Sequence, residues 1–228
     1  MVTQLPSTGA SGGGAVICDT SDLIMIHGMY RKVFSDAPAL VRAVVPGNSD
    51  QRTAVIRHLG DISASLHEHH HGEDDLLWDQ LTSRAPACAA HVGQMKQQHA
   101  VVAALLEQLD TAVAAWDGTP QTQESVARIL DEIRSTLFAH LGQEETDIVP
   151  VAQTSMPQDL WNKLGEHGRG SVPANRRLIN LGHILSSMPP AEAEAWMKAT
   201  LPAPIRLLWR LVGKRQFEAE ARAMRAAA

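Results

Sequence analysis

Apolar residues recur every three or four positions along most of the chain from Asp19 onward, which is the pattern of amphipathic α-helices. Runs that alternate strictly between apolar and polar residues, as half-buried strands do, are nearly absent. Breaks rich in proline and glycine divide this part of the chain near residues 46–48, 84–86, 118–120 and 156–157. The pattern therefore predicts long helices over residues 20–45, 49–83, 87–116 and 120–153.

Long helices with short connections favour an all-α fold, an up-down-up-down four-helix bundle over residues 19–155. Pro38 should kink or interrupt the first helix. After Pro157 the helical segments become shorter, and residues 156–228 are predicted to form a helical C-terminal extension. Residues 1–18 are rich in glycine and serine and show no periodicity, which predicts a disordered tail. This tail has neither the basic nor the apolar part of a secretory signal, so the expected compartment is the cytoplasm.

Composition narrows the class of function. The chain has 228 residues and a net charge of −5, so the broad basic surface of a nucleic-acid-binding protein is not expected. No apolar run approaches the roughly 20 residues of a membrane span. Two cysteines are too few for a disulfide framework. Histidine is abundant, with 11 residues, and this excess points to metal or acid–base chemistry.

The histidines have a pattern of their own. Each predicted long helix carries one histidine on its apolar face, namely His27, His69, His99 and His140. On two of these helices a glutamate follows four residues later on the same face, Glu73 and Glu144. A buried carboxylate without a partner is costly, and a metal ion would offset that cost. Antiparallel packing would also bring the histidines of the last three helices to one level. The alternative is that each histidine only bonds a backbone carbonyl.

Two copies of H-x-x-x-E, HHHGEDDLLWD from His69 and HLGQEETDIVP from His140, have similar residues after them. With His27 upstream and His99 between, the chain resembles the hemerythrin-like (HHE cation-binding) family over about residues 20–153. The resemblance implies a four-helix bundle with two iron ions, often joined by an oxo or hydroxo bridge. It also implies terminal ligands at His27, His69, His99 and His140, and bridging carboxylates at Glu73 and Glu144.

One position departs from the family pattern. The oxygen carriers of the family have two histidines on the third helix, four residues apart, whereas here Met95 holds the earlier position. His70 is the natural replacement because it lies on the same side of its helix as Glu73. Tyr30, Glu145 and a solvent ligand are the other options. The departure counts against simple reversible oxygen carriage.

The resemblance implies that the protein binds or turns over a small oxidant such as dioxygen, peroxide or nitric oxide. A peroxidase-like, catalase-like or nitric oxide-consuming activity is one form of this hypothesis. The alternatives are an iron- or oxygen-sensing module without turnover, and a helical bundle without a native metal. The H-E-x-x-H string at residues 67–71 is not expected to form a zinc peptidase site, because His67 and His71 point away from the apolar face.

The basic and apolar stretch at residues 205–215 is expected to pack on the bundle or on a second copy in a homodimer. Binding to a membrane surface is the alternative for this stretch.

Overall fold

The structure is a computed structural model that describes residues 18–225, and within that range it contains helices and no strands. The prediction of an all-α fold is confirmed. The predicted disordered tail lies outside the described residues except for Cys18, which is buried. The backbone N–H of Cys18 donates to the carbonyl of Gln153. Among the described residues, no helix combines the length and the apolar character that a bilayer crossing requires.

The long helices are α1 (Ser21–Arg42), α2 (Ser49–Leu76), α4 (Ala89–Ala114) and α5 (Pro120–Asp147). Two shorter helices continue the second and fourth predicted segments, α3 (Trp78–Arg84) and α6 (Val149–Ser155). The predicted helix 49–83 is therefore broken at Leu77, and the predicted helix 120–153 at Ile148. Pro150 accounts for the second break, because it has no N–H to donate to the preceding turn. The expected interruption of α1 at Pro38 does not occur, since the helix continues to Arg42.

Helix starts follow local chemistry. The side chain of Asn48 accepts a hydrogen bond from the N–H of Gln51 at 3.0 Å, which caps the N-terminus of α2. The side chain of Thr119 caps α5 in the same way, and Pro120 occupies the first turn. The glycine before each cap, Gly47 or Gly118, has a φ of 83° or 96°, in the left-handed region that favours glycine.

The long helices contact one another in a ring, with α1 and α4 each packed against α2 and α5. Two apolar clusters of buried residues include side chains of the long helices, one around Phe34, which we call the Phe34 cluster, and one around Trp78, the Trp78 cluster. The Phe34 cluster includes Tyr30, Leu66, Val102 and Leu137. The Trp78 cluster includes Leu23, Leu77, Met95 and Ile148. The segment of each long helix between its two cluster residues carries the polar groups described below.

The remaining elements are the 3₁₀ turn Pro86–Cys88, α7 (Gln158–Ser171), α8 (Arg177–Ser186), α9 (Pro190–Thr200), α10 (Ala203–Leu208), the π-helical turn Trp209–Gly213 and α11 (Lys214–Ala223). Helix α7 packs on α2, and α8 packs on α1 and α11. The basic and apolar stretch is only partly covered. Trp209 is buried in a small cluster with residues of α8 and α9, whereas Leu207 and Leu211 are 57% and 61% exposed.

Candidate metal centre

All the predicted ligands lie in one layer between the two apolar clusters. They are His27, His69, His70, Glu73, His99, His140 and Glu144. The carboxylates of Glu73 and Glu144 have no exposed surface, and the imidazole of His69 is the most exposed of the set at 9%. Each long helix contributes because its apolar face turns inward at this level, so that the polar side chain on that face enters the core.

The ligand atoms form two groups. His70, His99 and His140 bring one ring nitrogen each to within 4.8 Å of one another. His27 and His69 form a second group of the same tightness with one oxygen from each glutamate. We call these the three-imidazole group and the two-imidazole group. The rings of His70 and His99 are stacked with their centroids 4.1 Å apart, so the first group is compact.

The two glutamates connect the groups. Oε1 of Glu73 lies 3.2 Å from Nε2 of His69, and Oε2 of the same carboxylate lies 3.4 Å from Nε2 of His99. Oε2 of Glu144 lies 3.5 Å from Nε2 of His27 and 3.7 Å from Nε2 of His140. Neighbouring ligands about 2.1 Å from one metal ion stand roughly 3 Å apart. Each carboxylate therefore reaches both groups at spacings close to those of shared metal ligands.

The polar atoms that face inward have no hydrogen-bond partners. They are Nε2 of all five histidines and both oxygens of Glu73 and of Glu144, all buried. Buried polar atoms in native proteins are normally hydrogen-bonded, and an orphaned one costs about 1–3 kcal/mol. So many orphaned atoms at one point would strongly destabilise the fold. Imidazole nitrogen and carboxylate oxygen form a donor set that suits iron, so the residues present fit a metal centre.

The pKa values of the buried histidines also favour a metal site. Burial, together with the neighbouring Glu144 carboxylate, raises the pKa of Glu73 well above its ordinary value. Burial and the adjacent imidazoles lower the pKa values of His69 and His70 well below 6.5, and that of His140 to about 3. These three imidazoles are thus neutral at pH 7, which is the form that binds metals.

Hydrogen bonds from the outer ring nitrogens orient three of the imidazoles. Nδ1 of His27 lies 2.9 Å from Oε1 of Glu145, and Nδ1 of His99 lies 2.9 Å from Oδ1 of Asp74. Nδ1 of His140 lies 3.0 Å from the side-chain oxygen of Gln98. An Nδ1–H that donates to these oxygens leaves the Nε2 lone pair free to face the centre.

The carboxylates of Glu145 and Asp74 have further partners that fix their positions. Arg31 makes a two-pronged ion pair with Glu145, at 2.7 and 2.9 Å, and the indole N–H of Trp78 donates to Asp74 at 2.7 Å. Burial opposes ionisation of Glu145, but its bonds to His27 and Arg31 prevail and lower its pKa to about 2. Sequence reasoning did not identify these outer partners. A signal was present, because a second acidic residue directly follows each motif glutamate.

The residues considered as replacements for the ligand missing at Met95 differ in what their side chains contact. Met95 is fully buried in the Trp78 cluster. The Tyr30 hydroxyl donates to the carbonyl of Ser65, and Glu145 is engaged by His27 and Arg31. His70 is the residue whose free Nε2 joins the three-imidazole group.

The other histidines lie outside this layer. His67 and His71 are exposed, so the H-E-x-x-H string does not present its two outer histidines to one buried face. His58 is buried and its ring lies 5.0 Å from that of His183 in α8. Nε2 of His167 in α7 lies 3.2 Å from the carbonyl of Glu68.

Comparisons with known proteins agree with this geometry. A family model described as the hemerythrin HHE cation binding domain matches residues 20–152, which is more than half of the chain. An uncharacterized protein of Dictyostelium discoideum is 20% identical over 152 residues, which cover 61% of this chain and 59% of that protein. The chain thus spans less than two thirds of the length of this relative. No solved structure gives a significant match.

Proposed function

The chain belongs to the hemerythrin HHE cation-binding domain family, and on that premise we propose that it is a non-haem di-iron protein that binds or turns over a small oxidant, namely dioxygen, peroxide or nitric oxide. The observation that carries this proposal is the set of buried, unpartnered nitrogen and oxygen atoms that converge from four helices. These atoms match the number and type of ligands that two adjacent metal ions need.

The proposal includes the fold around the centre. We propose that α1, α2, α4 and α5 form an up-down-up-down bundle over about residues 19–155, with residues 156–228 as an extension. The order of the apolar clusters supports alternating directions. Along α1 and α4 the chain passes from the Trp78 cluster to the Phe34 cluster, and along α2 and α5 it passes the other way.

The two groups support the proposed ligand assignment. His70, His99 and His140 would hold one iron, and His27 and His69 the other, with Glu73 and Glu144 bridging the pair. When bound, two adjacent irons supply reversible binding of a small oxidant or a shared two-electron change. The two-imidazole group offers one imidazole fewer than the three-imidazole group, and an exogenous ligand would therefore be taken up beside it.

The surrounding residues define what the centre can accept. Buried apolar side chains on both sides of the polar layer would limit the access of water to it. Asp74, Gln98 and Glu145 hold the Nδ1 protons of three ligands and fix their ring orientation. The ligand must therefore be small and need few specific contacts, as a diatomic molecule or peroxide does.

A second candidate is a sensing module without turnover, in which the extension reports the state of the centre. Helix α7 packs directly on the motif of α2, and a Cβ at Gly72 would lie 2.7 Å from the ring of His167. A movement of α2 at the centre would thus reach α7. The exposed Leu207 and Leu211 offer a surface for a second copy in a homodimer.

The test is the iron content per chain with an ultraviolet–visible spectrum of the same aerobically purified sample. We expect two irons and charge-transfer bands in the wild type and in His71→Ala, the control on the exposed face of α2. Glu73→Ala and His140→Ala should lose iron. Wild-type iron content in both ligand variants would overturn the assignment. Steady-state consumption of peroxide or nitric oxide then separates turnover from sensing.

A further inference from the structure

A cavity of about 100 Å³ lies between the long helices and the C-terminal elements. Helices α1 and α2 form one wall, with apolar side chains that include Met29, Val33 and Ile62. The opposite wall comes from Val172, at the end of α7, and Ile179 of α8. The cavity opens to the surface, where the lining residue Ala64 is exposed, and its accessible surface is mostly apolar, which suits small apolar molecules such as xenon.

Three charged side chains line this cavity, Asp61, Glu68 and Arg176, and two of them pair with each other. Arg176 forms ion pairs with Asp61 of α2 and with Glu220 of α11. Glu68 lies 3.5 Å from Nε2 of His167. These contacts fasten the C-terminal wall to α2 and leave the apolar side chains to contact any occupant.

The cavity ends close to the two-imidazole group. Ser65, which lines the cavity, precedes His69 by one helical turn on α2. The hydroxyl of Tyr30 donates to the carbonyl of Ser65 at 2.8 Å and lies 3.1 Å from its Oγ. The ring of Tyr30 is 5.2 Å from that of His69, centroid to centroid. Tyr30 therefore stands between the cavity wall and the side of the centre that has fewer protein ligands.

We propose that this cavity is a binding site for small apolar molecules and the entrance through which they reach the two-imidazole group, with Tyr30 as the partition. The delivery step rests on the proposed function, whereas occupancy of the cavity does not. Free dioxygen and nitric oxide are apolar and small enough for a space of this size. The C-terminal elements thereby acquire a role, because they supply the opposite wall of the cavity.

Xenon tests the site without reference to iron. We expect xenon-pressurised crystals of the full chain, or xenon-induced NMR shifts, to show occupancy next to Ile62 and Ile179. Ala64→Phe should abolish it, since Ala64 lines the cavity and is itself exposed, which lets the larger side chain be tolerated. Ala104→Phe is the matched control, an exposed alanine of α4 outside the cavity lining. Absence of xenon from the wild-type cavity would overturn the site.

Stopped-flow binding of nitric oxide to the iron-loaded protein tests the entrance. We expect Ala64→Phe to slow association about tenfold with little change in the final spectrum, while Ala104→Phe leaves the rate unchanged. Tyr30→Phe, which loses the bond to Ser65, should speed association severalfold. Equal rates in all the variants would overturn the delivery role even if xenon binds. A loaded protein that binds neither nitric oxide nor dioxygen at equilibrium would overturn delivery. If it also consumed no peroxide, the proposed function would be overturned as well, and the xenon result would still stand.

Discussion

The molecule buries histidines in two places, and only one of them has the character of a metal site. In the centre, five imidazoles and two carboxylates point inward with no hydrogen-bond partners for the inner atoms. At the junction of α2 and α8, His58 and His183 also lie ring to ring, 5.0 Å apart and tilted by 39°. Burial lowers the pKa values of both to about 4, as burial also lowers those of His69 and His70.

The difference lies in the carboxylates. Those nearest the His58–His183 pair already have cationic partners, Asp36 with Lys32 and Glu220 with Arg176. Glu73 and Glu144 have no cation, and each faces two imidazoles at 3.2–3.7 Å. A buried histidine is therefore a poor indicator of a metal site by itself. Convergence of unpaired acceptors of both chemical types is the feature that separates the centre from the junction.

Metal removal is expected to change the free energy of unfolding more than any of the substitutions below. Anaerobic chelation should lower the free energy of unfolding strongly, because a ligand that binds only the folded state at a thousand times its dissociation constant contributes about 4 kcal/mol per site. Circular dichroism melts of loaded and stripped protein measure this change. His58→Gln should show the same difference as the wild type. A stripped protein as stable as the loaded one would favour a structural bundle without a native metal.

A lower pH should destabilise the fold at the His58–His183 junction. The pKa of His58 is about 4 in the folded protein and near 6.5 when unfolded, so between these values the unfolded chain binds the additional proton. Stability from the neutral form is thus complete above about pH 6.5, falls as the pH drops toward 4, and is constant below that. Asp36, Glu220 and Arg176 face the ring and are included in this shift.

His58→Gln should remove that part of the pH dependence, at most about 3 kcal/mol across the window. Denaturant unfolding at a series of pH values, in wild type and variant, measures it. Equal slopes between pH 6.5 and 4 would contradict a buried neutral His58.

At the centre, the effect of one substitution on stability should change sign between the metal-free and the iron-loaded protein. Glu144→Leu removes a fully buried carboxylate, so in metal-free protein we expect about 2 kcal/mol of added stability. The same variant should bind iron poorly and be less stable than the wild type when iron is present. Thermal melts with and without iron give both values. Destabilisation under both conditions would mean that the carboxylate is satisfied without a metal.

A smaller effect is expected at the outer hydrogen bonds. Asp74→Asn removes the negative charge beside Nδ1 of His99 and should weaken iron binding about tenfold. Asp75→Asn is the control, because Asp75 is 59% exposed and lies near the exposed His71 rather than the centre. Competition with a chelator measures both affinities. Equal losses in the two variants would show that surface charge, and not ring orientation, is responsible.

The sequence predicted which residues share a face and a level, because both follow from the regular geometry of a helix. The His69 and His140 motifs, with His27 and His99, were expected in one layer, and the structure brings them together there. The positions of the helix ends were predicted less accurately. The break at Ile148 could have been inferred from Pro150, whereas nothing in the sequence analysis anticipated the one at Leu77.

Contacts between distant segments could not be predicted from periodicity. His58 lies on α2 outside the centre, and its neighbour His183 is supplied by α8 through a junction that no local pattern specifies. Asp74 and Glu145 were visible as acids beside the motifs, yet their partners come from α4 and α1. The choice among His70, Tyr30 and Glu145 likewise depended on what each side chain contacts.

The sequence by itself determined that the chain is helical and that its candidate metal ligands lie in paired histidine and glutamate motifs. These features are local, since helical spacing fixes the face on which each side chain lies. Only the tertiary structure decided that the glutamates reach both imidazole groups, that Asp74, Gln98 and Glu145 orient three rings, and that the C-terminal helices form one wall of a cavity beside the long helices. Those outcomes depend on how helices rotate and pack against one another, and that packing is set by side-chain contacts between residues far apart in the chain.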